Sequence, residues 1–125
     1  MREIFERDET EAILLVDAEN AFNNLNREAA LHNIKEICPS FHRYLANTYL
    51  MPAKMFINNS NGGQDDILSE EGSTQGDVTA MAMYAVGTKP LIDNLHQSID
   101  QVHCKQVWYA DDSSAAGKIS EMKIW

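Results

Sequence analysis

The chain has 125 residues, of which 44% are apolar and 23% are charged, and its formal net charge is −9. This length suits one compact domain, and the composition is that of a globular rather than a disordered protein. With 19 acidic against 10 basic residues, the chain lacks the basic surface usual in nucleic-acid-binding proteins, and no apolar stretch is long enough to span a bilayer.

The N-terminal residues and the cysteines bear on location. Residues 1–11 are rich in charge and are expected to form an exposed lead-in, without the apolar core of a secretion signal. Cys38 and Cys104 lack the spacing of metal ligands. We therefore expect free thiols in a reducing, intracellular compartment, with nucleus and cytoplasm both open.

The first half of the chain predicts a strand followed by two helices. Residues 12–17 are an apolar run that ends in an acid, which favours a buried central strand. Asn26 can cap a helix that ends near Ile37, where Pro39 stops it. Ser40 is predicted to cap the second helix, since an apolar stripe follows it.

The second half predicts two hairpins separated by a helix. Residues 53–59 favour a strand, and turn-forming residues lead to a short second strand through residues 66–68. Asp77 is predicted to open a helix that Pro90 kinks or divides. Residues 101–109 and 113–118 then predict an antiparallel pair of strands. This order indicates an α+β fold with helices on one face of a small antiparallel sheet.

Aspartates stand at the ends of two predicted strands. Asp17 ends the first strand, and Asp111 and Asp112 follow the strand that leads to Tyr109. If these strands lie side by side, the carboxylates could hold two divalent cations. Each has an ordinary alternative, because Asp17 can initiate a helix and acid pairs favour turns. The similar pair at residues 65–66 has no sign of chemistry around it.

A loop between the two aspartate sites contains a second candidate. Gly76 can let the backbone approach a ligand closely, and the amide of Gln75 can hydrogen-bond a base or a sugar. An ordinary loop-to-helix turn explains the same two residues. Phe22, taken alone, is a core aromatic.

Three segments together resemble the palm motifs of reverse transcriptases. They are Asp-Ala-Glu-Asn-Ala-Phe at 17–22, Gly-Ser-Thr-Gln-Gly-Asp at 72–77 and Tyr-Ala-Asp-Asp at 109–112. Their order is that of the family, and the gaps between them are of the usual size. The resemblance covers residues 12–118 and is greatest to enzymes of retrotransposons. It implies a polymerase palm, in which helices back a small antiparallel sheet of the ferredoxin-like kind.

The resemblance implies a metal site. Asp17, Asp111 and Asp112 would be the catalytic carboxylates that bind two magnesium ions, with manganese as a possible replacement. Ala18 would add its backbone carbonyl to one of the metals. Such a site transfers a nucleotide from a deoxynucleoside triphosphate to a primer 3′-hydroxyl.

The resemblance also implies a nucleotide pocket. Phe22 would exclude a ribose 2′-hydroxyl and so select deoxynucleotides. Gln75 and Gly76 would line the pocket for the incoming nucleotide and the template, and Tyr109 would lie near the primer end. The partners would be an RNA or DNA template with its primer. The chain departs from the family at Val78, where many relatives have proline, and it lacks the Ser-Pro found in several branches after it.

The resemblance further implies that neighbouring regions are missing. Only sixteen residues precede Asp17, too few for the basic fingers region, and residues 119–125 would be the start of a truncated helix before the thumb. The charge of −9 then reflects an acidic palm without its basic neighbours. We expect such a fragment to polymerise weakly or not at all alone.

Two other functions stay open. The chain could be a non-enzymatic remnant of a transposon or a small interaction domain. Val78 and the short N-terminal part favour this interpretation. It could also be another two-metal palm enzyme, such as a nucleotide cyclase. Phe22 and the Gln-Gly pair weigh against a cyclase.

Overall fold

The structure, a computed structural model, describes Glu6 and residues 9–123. Much of the expected lead-in at 1–11, and the last two residues of the expected terminal helix, lie outside the described residues. The described chain forms two compact units. The first comprises the described residues of 1–21 and 88–125, and the second comprises Phe22–Gly87.

The described elements confirm an α+β fold with a small antiparallel sheet. In chain order they are β1 (Ala12–Asp17), α1 (Ala21–Asn24), α2 (Arg27–Ile37), α3 (Pro39–Tyr49), β2 (Ala53–Asn58), β3 (Gln64–Ser69), α4 (Ala80–Ser98), β4 (Cys104–Tyr109), β5 (Asp112–Gly117) and α5 (Ile119–Met122).

The first unit contains a three-stranded antiparallel sheet in the order β1-β5-β4. The central strand β5 is built of small residues, and its Ala115 and Ala116 are fully buried. Cys104 and Ala115 pack with Ile99, and Met122 of α5 packs against this cluster. The unit therefore has its own small core on one face of the sheet.

The prediction that residues 12–17 form a central buried strand is half wrong. The strand exists with the predicted bounds, but among the described strands β1 pairs only with β5 and so lies at an edge. Its side chains are largely exposed, Leu15 to 73% and Ile13 to 40%. A continuous apolar run cannot show whether both neighbouring positions in a sheet are filled, because that depends on pairing with distant segments.

The second unit has a core between helices. Ala30, Leu31 and Ile34 of α2 pack with Leu45 and Tyr49 of α3, and Met83 joins them. Asn26 caps α2 as predicted, since its side-chain oxygen accepts a hydrogen bond from the Ala29 N–H at 2.7 Å. The predicted capping role of Ser40 is wrong. Helix α3 begins at Pro39 after Cys38, and the fixed φ of proline suits the first helical turn.

The predicted hairpin of β2 and β3 is confirmed as an antiparallel pair. Helix α4 begins at Ala80 rather than next to Asp77, and Pro90 does not divide it into two helices. The last two strands also match the prediction, although β4 begins at Cys104, three residues later than expected. Within residues 9–123, no helix has the length and apolar character needed to cross a membrane.

Candidate functional site

Asp17 and Asp112 face each other across two paired strands. The register of β1 and β5 places the two residues directly opposite, at the end of the sheet. Residues directly opposite in an antiparallel pair share a face, with Cβ atoms roughly 4.5–5.5 Å apart. The fold therefore brings together two of the three carboxylates that the sequence singled out, and both are exposed.

Tyr109 lies on the same face. It is the cross-strand partner of Asp112 in the pairing of β4 with β5, and 76% of its surface is exposed. Leu15 stands two residues before Asp17 and so shares this face as well. The opposite face carries Cys104 and Ala115, which are buried. The carboxylates thus occupy the face of the sheet that this unit leaves accessible.

Asp111 lies in the tight turn that joins β4 to β5. Only Ala110 and Asp111 separate the paired residues Tyr109 and Asp112. Ala110 has a φ of 56°, which residues other than glycine, asparagine and aspartate seldom adopt. Asp111 therefore occupies a sharp turn, directly before Asp112, that carries local backbone strain at Ala110.

The carbonyl of Ala18 also takes part in a turn. It accepts a hydrogen bond from the Ala21 N–H at 3.3 Å, and Asn20 in the same turn has a φ of 50°. A carbonyl oxygen has two lone pairs, so this bond leaves capacity for a second partner. Ala18 directly follows Asp17, and the turn begins just beyond the end of β1.

These residues fit part of a magnesium or manganese site. Carboxylate and carbonyl oxygens are the ligands that these hard cations prefer, and such sites commonly use one or two carboxylates. Across the described residues, however, no group of three or more His, Cys, Asp or Glu side chains converges as a complete metal-binding set. The structure thus pairs Asp17 with Asp112 and leaves Asp111 in the adjacent turn.

The second unit assembles the other predicted residues. Phe22, Gln75 and Gly76 line one pocket together with Asp77, Ala80 and Met81. Its wall is mainly apolar, with the amide of Gln75 and the carboxylate of Asp77 as polar groups. Such a pocket suits an uncharged, flat group better than a phosphate. Phe22 is about fifty residues from Gln75 and Gly76 in sequence, and the fold brings it to them.

Gly72 explains how Phe22 reaches this loop. The Gly72 N–H donates to Leu25 O at 2.9 Å, and the Ser73 N–H donates to Phe22 O at 2.8 Å. A Cβ at position 72 would lie 2.3 Å from Asn23 O, and the φ of Gly72 is 71°. Only glycine permits this close approach of the two backbones.

The ring of Phe22 also packs against a second aromatic ring. It contacts the ring of Tyr84 on α4, with centroids 5.0 Å apart and planes inclined by 40°. Aromatic pairs favour such tilted arrangements at this distance. The orientation of Phe22 in the pocket is therefore set by packing and not by the backbone alone.

Sequence reasoning missed Arg27, which holds the segment before the loop. Its side chain is buried, and the guanidinium donates to Ser69 O and Gly72 O, each at 2.9 Å, and to Glu71 O at 2.8 Å. It also lies 5.3 Å from the centre of the Tyr49 ring. Carbonyl dipoles and the aromatic face compensate the buried charge. An arginine beside a helix N-cap is too common to be a sequence signal for this role.

Sequence reasoning also missed the link between Tyr49 and Asp77. The Tyr49 hydroxyl donates to Asp77 Oδ2 at 2.5 Å, and Asp77 Oδ1 accepts from the N–H and hydroxyl of Thr79, each at 2.7 Å. These bonds, with that from Tyr49 foremost, hold the pKa of Asp77 below its usual value. Burial, followed by the bond to Asp77, raises the pKa of Tyr49. The position of Asp77 directly after Gln-Gly was the available signal.

The candidate site therefore has two parts. Asp17, Ala18, Tyr109, Asp111 and Asp112 belong to the first unit, and Phe22, Gln75 and Gly76 belong to the second. Each part is coherent within its own unit. No protein-family model, curated protein or solved structure matches the chain.

Proposed function

We propose that this chain is the catalytic palm of an RNA-directed DNA polymerase from a retrotransposon-type element. The observation that carries the proposal is the direct opposition of Asp17 and Asp112 on an accessible face, with Asp111 in the adjoining turn. Ordered acids at strand ends are what two-metal nucleotidyl transfer requires. An acid that merely initiates a helix or turn has no need of a carboxylate partner on the neighbouring strand.

The carboxylates would hold two divalent cations, magnesium or manganese. When bound, these cations neutralise charge on the triphosphate and make the primer 3′-oxygen a better nucleophile. Asp17 and Asp112 would orient the reacting groups from opposite strands, and Ala18 would contribute its carbonyl. Phosphoryl transfer requires positioning and charge neutralisation more than covalent chemistry from the protein. The acidic face would supply both.

The remaining residues would select and align the substrates. Phe22, supported by Tyr84, would contact the sugar and exclude a 2′-hydroxyl. Gln75 and Gly76 would shape the wall of the same pocket toward the nucleotide and the template. Tyr109, exposed on the carboxylate face, would contact the primer end. The free thiols Cys38 and Cys104 suit the reducing, intracellular compartment that we propose for this enzyme.

Primer extension tests the proposal. The folded chain, and a version extended at both ends, would be incubated with a primed RNA template, deoxynucleotides and magnesium or manganese. We expect extension by the longer version and weak or absent extension by the 125-residue chain. The double variant Asp111→Asn, Asp112→Asn should abolish extension, whereas Asp65→Asn, an acid of the β2-β3 hairpin, should not. Extension that survives in the double variant would contradict the assignment of these acids.

A small interaction domain is the second candidate. It is favoured by large apolar side chains that stand in solvent, such as Val78 at 93%, Met51 at 74% and Leu15 at 73% exposed. Within the edge strand β1, the consecutive residues Ile13, Leu14, Leu15 and Val16 are each at least 37% exposed, and adjoining apolar side chains of this kind often mark contact with another polypeptide. Absence of extension by a longer, folded version with either metal would favour this candidate over the polymerase.

A further inference from the structure

The loop of residues 72–77 is held on both sides of Gln75 and Gly76. On one side the Thr74 N–H donates to the Tyr49 hydroxyl at 3.3 Å. On the other side the same hydroxyl donates to Asp77 Oδ2 at 2.5 Å. One side-chain oxygen thus joins the two flanks of the exposed Gln-Gly pair, and the Asp77 N–H donates to Thr74 O at 3.1 Å.

The ring of Tyr49 is fixed by packing in the core of the second unit. Tyr49 ends helix α3, only 3% of its surface is exposed, and its ring belongs to the core with Leu45 and Ile34. The guanidinium of Arg27 covers the ring. Because the ring is packed on several sides, the hydroxyl occupies a defined place relative to the helices. It can therefore serve as a rigid anchor for the loop.

The loop in turn shapes the pocket that contains Phe22. Gln75, Gly76 and Asp77 form one side of that pocket, and Phe22, Ala80 and Met81 form the other. No basic side chain is among its lining residues, and the Asp77 carboxylate repels phosphate. The pocket therefore suits the base and sugar of a nucleotide rather than its phosphates.

We propose that Tyr49 is a positioning residue whose hydroxyl, by bridging Thr74 and Asp77, sets Gln75 and Gly76 in place to bind the base and sugar of a nucleotide. The nature of the ligand rests on the proposed polymerase function. The role of Tyr49 in ordering the loop rests on the hydrogen bonds and burial alone. The two parts can therefore fail separately.

Removal of the hydroxyl alone tests the proposal. Tyr49→Phe keeps the ring in the core, and Tyr44→Phe on the same helix is the matched control, because Tyr44 is 57% exposed. Deoxyadenosine triphosphate with magnesium would be titrated into each full chain, and binding would be followed through the amide resonance of Gly76. Hydrogen exchange of residues 74–79 and the thermal midpoint would be measured on the same samples.

We expect Tyr49→Phe to weaken nucleotide binding by about threefold to tenfold, the effect of one hydrogen bond. Exchange at residues 74–79 should accelerate by a similar factor, while Tyr44→Phe changes neither quantity. A lower affinity at an unchanged folded fraction distinguishes positioning from a merely structural role. If Tyr49→Phe fails to fold, Asp77→Ala removes the acceptor from outside the core and should accelerate exchange at residues 74–79 in the same way. This exchange alone then decides the positioning role, because Asp77 itself lines the pocket.

Unchanged exchange at residues 74–79 in a folded Tyr49→Phe variant would overturn the positioning role. Equal nucleotide affinity of this variant and the unmodified chain would overturn the link between the loop and binding. If the unmodified chain shows no shift of Gly76 with nucleotide, the proposed ligand is wrong. The ordering role of Tyr49 would then be decided by hydrogen exchange alone.

Discussion

Asp17 and Asp112 are direct cross-strand partners in the pairing of β1 with β5, and both lie on the exposed face of the sheet. Two like charges opposite each other are unfavourable in a β-sheet unless they serve another purpose. The cation that we propose would offset this repulsion, because it would bind both carboxylates. This relationship motivates the first prediction.

Asp112→Asn should weaken binding of manganese by at least tenfold. Removal of a residue that only orients a metal ligand reduces metal affinity by about 10–100-fold. Removal of a ligand itself should reduce the affinity at least as much. The measurement is the paramagnetic resonance of free Mn²⁺ during titration of the folded chain. Asp65→Asn is the control, since Asp65 accepts a hydrogen bond from Asn59 in the hairpin and has no proposed metal role. Equal affinities of the Asp112 variant and the unmodified chain would refute the metal site.

Ala110→Gly should leave the stability of the first unit unchanged or raise it by up to about 1 kcal/mol. An L-residue in the left-handed region costs about 1–2 kcal/mol, and glycine avoids this cost but loses more entropy on folding. Denaturant unfolding measures the difference. Ala12→Gly in β1 is the control and should lose up to about 1 kcal/mol, because it gains no relief of strain.

A loss of stability in Ala110→Gly as large as that in Ala12→Gly would show that the turn is unstrained. Primer extension by the same variant is informative as well. If the strained turn positions Asp111 for catalysis, the glycine variant of the longer version should fold at least as well and extend primers more slowly.

Gly87→Ala should destabilise the second unit, although alanine is normally the better helix former. A Cβ on Gly87 would lie 2.8 Å from the Cβ of Ala30, which cannot move independently of the backbone. Overpacking costs about 1–3 kcal/mol, whereas the gain in helix propensity is only about 1 kcal/mol. We therefore expect a net loss of up to about 2 kcal/mol in denaturant unfolding.

A compensating substitution provides the control for the Gly87 prediction. Ala30→Gly removes the methyl group that the new side chain would meet. The double variant should be more stable than the sum of the two single changes predicts, by at least about 0.5 kcal/mol. Strict additivity would show that the two positions do not touch.

The loop around Gln75 should lose protection from hydrogen exchange in acid. Hydrogen bonds to Asp77 lower its pKa in the folded chain. The contribution of the charged Asp77 to the stability of the loop is therefore complete above the unfolded pKa of about 3.9, and it is lost as the pH falls through the lower pKa of the folded chain. Burial and the same hydrogen bond raise the pKa of Tyr49. The contribution of the neutral Tyr49 hydroxyl to stability is complete below the unfolded pKa of about 10, and it is lost only as the pH rises through the higher pKa of the folded chain.

Hydrogen exchange of residues 74–79 measures this pH dependence across the acid transition of Asp77 and the alkaline transition of Tyr49. Exchange has to be corrected for its intrinsic dependence on pH with an unstructured peptide of the same sequence. Asp77→Asn should show no acid transition in this segment. An acid transition that persists in the asparagine variant would assign it to another group.

Much of the local structure follows from short stretches of sequence. The apolar run before Asp17, the Asn26 cap and the turn formers between β2 and β3 each act over a few residues, and the corresponding elements formed as predicted. Ser40 failed as a cap because Pro39 is itself favoured in the first helical turn. Competition between neighbouring signals of this kind is difficult to resolve without the backbone.

The sequence by itself determined which residues are candidates for chemistry: Asp17, Asp111 and Asp112 as acids at strand ends, and Gln75 and Gly76 in a loop. Only the tertiary structure decided that Asp17 lies opposite Asp112, that β1 is an exposed edge, and that Phe22 meets the Gln-Gly loop. The physical reason is distance along the chain. Strand pairing and the close approach at Gly72 depend on contacts between remote segments, and no local pattern of residues encodes which of them will meet.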